Sequence, residues 1–203
     1  TTDKRSLSNG MNVLFVHDAQ SALISLSLTM RIGAVHEQIG GLARAVAGLM
    51  LTGTSTKTAQ DISMLIDRLG VSFGFSSSWD SFECSSIGLA EHVQFMVDLM
   101  HECLFDARFP EDEVALKKEL MIAEHEHYSM DPEYLASRAS SARMFTNHPY
   151  GHSRIGIPSS IALINQESCR AFHRDIMQTS DAFFTISGNC DPDKMIVMLE
   201  DRF

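Results

Sequence analysis

The sequence lacks the signatures of several protein classes. It has no C-x-x-C pair. Its four cysteines stand apart at Cys84, Cys103, Cys169 and Cys190, a spacing that builds neither a structural zinc site nor a disulfide framework. They read as small buried hydrophobes. It has no run of about 18 apolar residues, so no helix is expected to cross a membrane. It is short of basic residues, with 16 Lys and Arg against 26 Asp and Glu and a net charge of −10, which argues against a nucleic-acid partner. G-x-S-x-G is absent, and with it the usual setting of a nucleophilic serine. The glycines near Gly40-Gly41 have no phosphate-loop lysine behind them, which argues against a nucleotide site. No secretory leader is recognisable. A start at Thr1-Thr2-Asp3-Lys4-Arg5 fits a removed leader or a trimmed chain, so bacterial cytoplasm, periplasm and mitochondrion all stay open. With no internal repeat and no low-complexity linker, residues 1–203 read as one domain.

What is present is an ordinary core, with 44% hydrophobic residues, carried by a mixture of periodicities. Asn9-Gly10 ahead of an apolar run is a hairpin cue. From Ala22 to Ile32 the pattern has period two: Ala22, Ile24, Leu26, Leu28 and Met30 share one face, and Ser25, Ser27, Thr29 and Arg31 the other. A helix is expected from Thr58 to Gly70, with Ile62, Leu65, Ile66 and Leu69 as its stripe and Gly70 as its C-cap. A hairpin follows, from Val71–Phe75 to Ser81–Leu89, with Trp79-Asp80 near the turn. Further helices are expected over Val93–Phe105, Glu111–Tyr128, Tyr134–Phe145 and Gln166–Ile176, the last capped by Asn165. Asp131-Pro132 reads as a break, and Ser159-Ser160-Ile161 as a connector. A strand over Asp181–Gly188 and a helix from Asp191-Pro192 complete the chain. Strands and helices alternate without a regular βαβ repeat, so the fold class is α+β: a mostly antiparallel sheet covered by helices.

The most informative stretch runs from Gly40 to Thr54. Leu42, Val46, Leu49 and Met50 form an apolar stripe at helical spacing, and glycines bracket a helix over about 41–51. Arg44, Ala47 and Gly48 lie three and four apart, on one face. An inverted zinc motif, H-x-x-E-H, would place its two imidazoles and its carboxylate there. None of the three residues present can ligate zinc through its side chain.

In this frame the chain resembles the N-terminal half of an M16-family (pitrilysin-like) zinc peptidase, a family that includes the mitochondrial processing peptidase and its non-catalytic sister subunits. The family pattern G-L-A-H-x-x-E-H, closing on G-T, is matched by Gly41-Leu42-Ala43-Arg44 with Ala47-Gly48 and then Gly53-Thr54. Gly33 and Glu37 match the family's G-x-x-x-E. Phe109-Pro110-Glu111, Lys117-Lys118-Glu119-Leu120, Asp131-Pro132, His148-Pro149-Tyr150-Gly151 and Ser187-Gly188-Asn189 follow in the family's order. The resemblance implies an M16 peptidase-like (LuxS/MPP-like) half domain, a fragment of a longer two-domain subunit. It aligns Glu124 with the third zinc ligand and sets Lys117 where a further glutamate stands two turns earlier. One ligand of three remains, and the general base is missing. A catalytic zinc needs about three protein ligands, so neither bound zinc nor hydrolysis by this chain alone is expected. Zinc is expected only in a partner.

Two readings remain for the charged residues. His125 and His127, in Glu124-His125-Glu126-His127, would point about 200° apart on a helix and could share an ion only if the segment were extended. The preferred reading is a solvated acidic and imidazole-rich face. Arg44 is either a surface arginine or an ion-pair partner that replaces the metal on Glu124, the latter being preferred. The resemblance then implies a non-catalytic subunit that binds peptide or completes the chamber of a zinc-bearing partner, that partner being a separate subunit or a second half of the same protein. The alternatives are a purely structural subunit of a larger complex, and a peptidase with its metal held elsewhere.

Overall fold

A computed structural model describes residues 2–203. Its frame is a six-stranded sheet built from β1 (Thr2–Ser6), β2 (Asn12–His17), β3 (Leu23–Met30), β4 (Ser72–Ser77), β5 (Phe82–Leu89) and β6 (Ala182–Gly188), in the order β1-β2-β6-β3-β5-β4. Four of the five pairings are antiparallel, and β2 with β6 is parallel. The α+β class is therefore as the sequence predicts. β6 lies between β2 and β3, with Ile186 opposite both Phe15 and Leu26.

The period-two stretch is β3, and Ile24, Leu26, Leu28 and Met30 are all buried. They join Phe15, Phe82, Phe184 and Ile186 from neighbouring strands in one apolar cluster with Val46, Met50, Met96 and Met100 from the helices. Each such side chain contributes about 1.5–3 kcal/mol by leaving water. The three cysteines Cys84, Cys103 and Cys169 are buried, and Cys190 is half-buried. Burial pushes the Cys103 thiol up to about 12, so it behaves as a hydrophobe and not as a nucleophile.

The helices are α1 (Leu42–Leu49), α2 (Ala59–Leu69), α3 (Val93–Phe105), α4 (Glu111–Tyr128), α5 (Pro132–Met144), α6 (Pro158–Ile161), α7 (Gln166–Gln178) and α8 (Pro192–Glu200). Thr58 caps α2 by accepting from the Asp61 amide at 3.2 Å, and Gly70 closes it in the left-handed region. Asn165 caps α7 in the same way through the Ser168 amide at 2.9 Å.

Two expectations are corrected, for one reason. Asp131-Pro132 does interrupt the helical run, between α4 and α5, but α5 starts at Pro132 and not at the expected Tyr134: the Asp131 carboxylate accepts from the Glu133 amide at 2.9 Å, and Pro132 takes the first helical position. The Ser159–Ile161 connector is likewise the short helix α6, opened by Pro158. Proline is pre-set for a first turn, where its missing N–H would have no partner. At its other end α7 runs two residues past the expected Ile176.

No helix among the described residues is long and apolar enough to cross a membrane.

Candidate functional site

The site forms where α1 meets α4. α1 is built to be surrounded: Leu42, Ala43, Ala45, Val46, Ala47 and Leu49 are all buried. Its small residues let α4 and α7 approach, and of the strands it packs chiefly on β4. Its N-terminus has no side-chain cap of its own, because the N-cap is Gly41 at φ +92°. Glu37 supplies the acceptor. Its carboxylate receives the amides of Gly41 and Ala43, each at 2.8 Å. Burial pushes this carboxyl up to about 7, against the pull of those amides and of Arg154.

Glycine is required at this corner. A Cβ on Gly41 would meet Gly156 at 3.0–3.1 Å, and one on Gly156 would lie 2.8 Å from the Gly40 carbonyl oxygen. Backbone thus lies on backbone, and the 148–156 segment is pinned to the start of α1. The same segment reaches the sheet. Arg154 donates to the Ser77 carbonyl at 2.7 Å, and the Tyr150 hydroxyl donates to Asp80 at 2.7–2.8 Å. His148, expected to shape its loop and not to ligate, accepts from the Tyr150 amide through Nδ1 at 3.2 Å.

On the face of α1 turned to α4 stand Arg44, Ala47 and Gly48. An Arg44 guanidinium Nη donates to Glu124 Oε1, joining the two helices across 80 positions of sequence. The side chains are 29% and 31% exposed, so the pair is screened less than a surface pair. Its worth is nearer the upper end of the ~0–1 kcal/mol such surface pairs show. The Arg44 Nε is buried with no hydrogen-bond partner, so Glu124 does not saturate the guanidinium.

Lys117, seven residues before Glu124 on α4, completes the cluster. Its Nζ and Cε occupy the volume that a Cβ on Gly48 would fill. The missing side chain on one helix is what seats the long side chain of the other. Burial, and secondarily Arg44, push the Lys117 ammonium below its ordinary range, while Glu124 acts the other way. The lysine makes no hydrogen bond among the described residues.

This donor set does not fit a zinc ion. One carboxylate faces two cations, and Ala47 and Gly48 bring no ligand atom. Among the described residues no group of three or more His, Cys, Asp or Glu is placed to hold a metal. His125 and His127 do not converge. His127 is exposed and turned toward Tyr128, with ring centroids 5.9 Å apart. His125 departs from the expected solvated face, for its Nδ1 is buried without a partner.

Sequence reasoning set Arg44, Glu124, Ala47 and Gly48 in one place, and the structure brings all four to the α1–α4 seam. It assigned no role to Lys117, whose seat on Gly48 is a matter of volume between two helices. It saw Glu37 only as a match, and Arg154 not at all.

The sequence model for insulinase (peptidase family M16) matches residues 12–157, well over half of the chain. An uncharacterized zinc protease of Mycobacterium leprae is 24% identical over 202 residues, 98% of this chain and 45% of that one. Another, of Bacillus subtilis, is 23% identical over 183 residues, 89% of this chain and 45% of its own length. The crystal structure of a peptidase M16 inactive domain from Pseudomonas fluorescens superposes with a TM-score of 0.92 at 24% identity, covering 99% of this chain and 50% of that one. The chain thus spans about half the length of the relatives it matches.

Proposed function

The chain belongs to the M16 peptidase family, and on that premise we propose that it is a non-catalytic half domain. In this reading it holds peptide, or completes the chamber of a zinc-bearing partner, and carries neither zinc nor hydrolysis itself. The observation behind the reading is the Arg44–Glu124–Lys117 cluster, which sets two cations and one carboxylate where the family frame calls for ligands and a base. A zinc ion brought there would meet like charge and a single donor.

The peptide part rests on β4. It is the outer strand beside α1, and its free side offers unpaired backbone groups to a second strand. Phe73 and Phe75 pack against the core, the alternate residues Ser72, Gly74 and Ser76 are small, and a Cβ on Gly74 would meet nothing within 4 Å. Glycine in a strand suits the close approach of another backbone. The partner part rests on the half-length match, since the relatives carry as much chain again.

The test is zinc content by emission spectrometry beside peptide binding and cleavage, with and without a zinc-bearing M16 subunit from the same source. Expected are no stoichiometric zinc, saturable binding of extended peptides, no cleavage by the chain alone, and greater cleavage on mixing than the zinc-bearing subunit shows alone. Stoichiometric zinc with cleavage by this chain alone would overturn the reading. No binding and no effect on mixing would leave a purely structural subunit in its place.

A further inference from the structure

The α1–α4 seam has an unbalanced charge. Arg44 and Lys117 are formally positive and Glu124 negative, so the cluster carries +1 inside a chain whose net charge is −10. Its donors are also unspent. A guanidinium offers five N–H donors in a fixed fork and an ammonium three. Glu124 takes one Nη of Arg44, while Nε is buried without a partner and Lys117 makes no hydrogen bond among the described residues. A buried guanidinium N–H without a partner calls for an explanation, and an oxyanion held at this seam is one. The absence of any side chain on Gly48 keeps the lysine seated beside Arg44 and not turned out to water.

An oxyanion is the ligand that such a set of donors suits. A planar carboxylate matches the guanidinium fork and takes a further charge-assisted bond from the ammonium. Phosphate would match the donors too, but a peptide on the neighbouring strand delivers carboxylates, and this choice rests on the peptide-binding reading above. We propose that Arg44 and Lys117 form a carboxylate-binding site that selects peptides by a C-terminal carboxylate or by an acidic side chain. Glu124 is the positioning residue: it holds the Arg44 guanidinium across the seam and limits the net charge to what one carboxylate neutralises.

The test uses the intact protein and four fluorescein-labelled nine-residue peptides of Ala, Val and Ser. One has a free C-terminal carboxylate, one is its C-terminal amide, and two are amides bearing a central Asp or Asn. Anisotropy at low salt should show the free-acid peptide, the Asp peptide or both binding about tenfold tighter than the neutral counterpart, the size of one charge-assisted contact. Whichever carboxylate wins names the source. In Lys117→Met the charged and neutral peptides should bind alike, and in the wild type the preference should fade as salt rises. Equal binding of charged and neutral peptides by the wild type would overturn the carboxylate site and leave the peptide reading standing. A preference that survives in both Lys117→Met and Arg44→Gln would overturn the assignment to these residues. Failure of all four peptides to bind would sink the peptide reading itself, and this site with it.

Discussion

Replacing Gly48 with alanine tests the α1–α4 seam with one methyl group. The new Cβ would fall on Lys117 Nζ and Cε and graze Cδ at 3.4 Å. The backbone of α1 is held on several sides, whereas the obstructing atoms are the free end of a flexible side chain, so the lysine moves. Three contributions decide the sign. Glycine inside a helix costs about 1 kcal/mol relative to alanine, which the substitution recovers. Forcing Lys117 off a rotamer would cost about 0.5–1.5 kcal/mol, but only if no staggered alternative opens to solvent. Turning outward also returns to water an ammonium that burial disfavours. The balance is a stabilisation of about 0.5–1 kcal/mol, or roughly 2–4 °C in Tm per kcal/mol for a chain of this size. Urea denaturation read by circular dichroism, with the slope checked for constancy, measures it. The eviction should also reduce the carboxylate preference as Lys117→Met does. A loss of more than about 1 kcal/mol would refute the reasoning, because it would mean that the lysine's seat is itself a favourable contact.

Three further outcomes follow from the same structure. Burial pushes His173 below its ordinary value while its Nε2 holds the Leu104 carbonyl at 2.7 Å; the unfolded chain therefore binds more protons in the window below about 6.5, and stability falls as pH drops through it. Glu37, with its raised value of about 7, acts in the opposite direction and loses stability as pH rises toward that value, so the readout is the wild-type curve minus that of His173→Gln, and a difference independent of pH would refute the assignment. A chelator should leave Tm unchanged and equimolar zinc should not raise it, as differential scanning fluorimetry would show; a fall with chelator would point to a bound metal. Glu37→Ala removes the acceptor from the Gly41 and Ala43 amides and should cost about 0.5–2 kcal/mol by denaturant titration, whereas a neutral result would mean that water caps α1 equally well.

The sequence made the local rules legible and left distance unread. β3 could be placed from alternation alone, because one face of it is buried and the other is not. Gly70 could be set at the end of α2 because few other residues tolerate its left-handed backbone. The same rules misplaced the start of α5, since Asp-Pro serves equally as a break and as a helix opening. Long-range pairings needed the fold. Nothing local makes β2 run parallel to β6, because the pairing depends on how the intervening chain packs. The Arg44–Glu124 pair could be proposed because a motif frame set both residues at one centre. The seating of Lys117 on Gly48 could not, because it is a matter of volume across two helices. Glu37 shows the same limit: its spacing was visible, but not that its carboxylate would replace the side-chain cap a glycine cannot supply.

The place of β6 has a consequence for how the protein is made. Residues 182–188 fill the middle of the sheet, between two groups of strands encoded far earlier. Emerging from the ribosome at about 5–20 residues per second, the chain shows its first hairpin and the group β3-β5-β4 long before the strand that joins them. Until then β2 and β3 each wait with an open edge, which is the condition under which chains pair with the wrong neighbour. Translation past Gly188 closes the sheet, and the helix pair carrying Arg44 and Glu124 gains a finished floor only then.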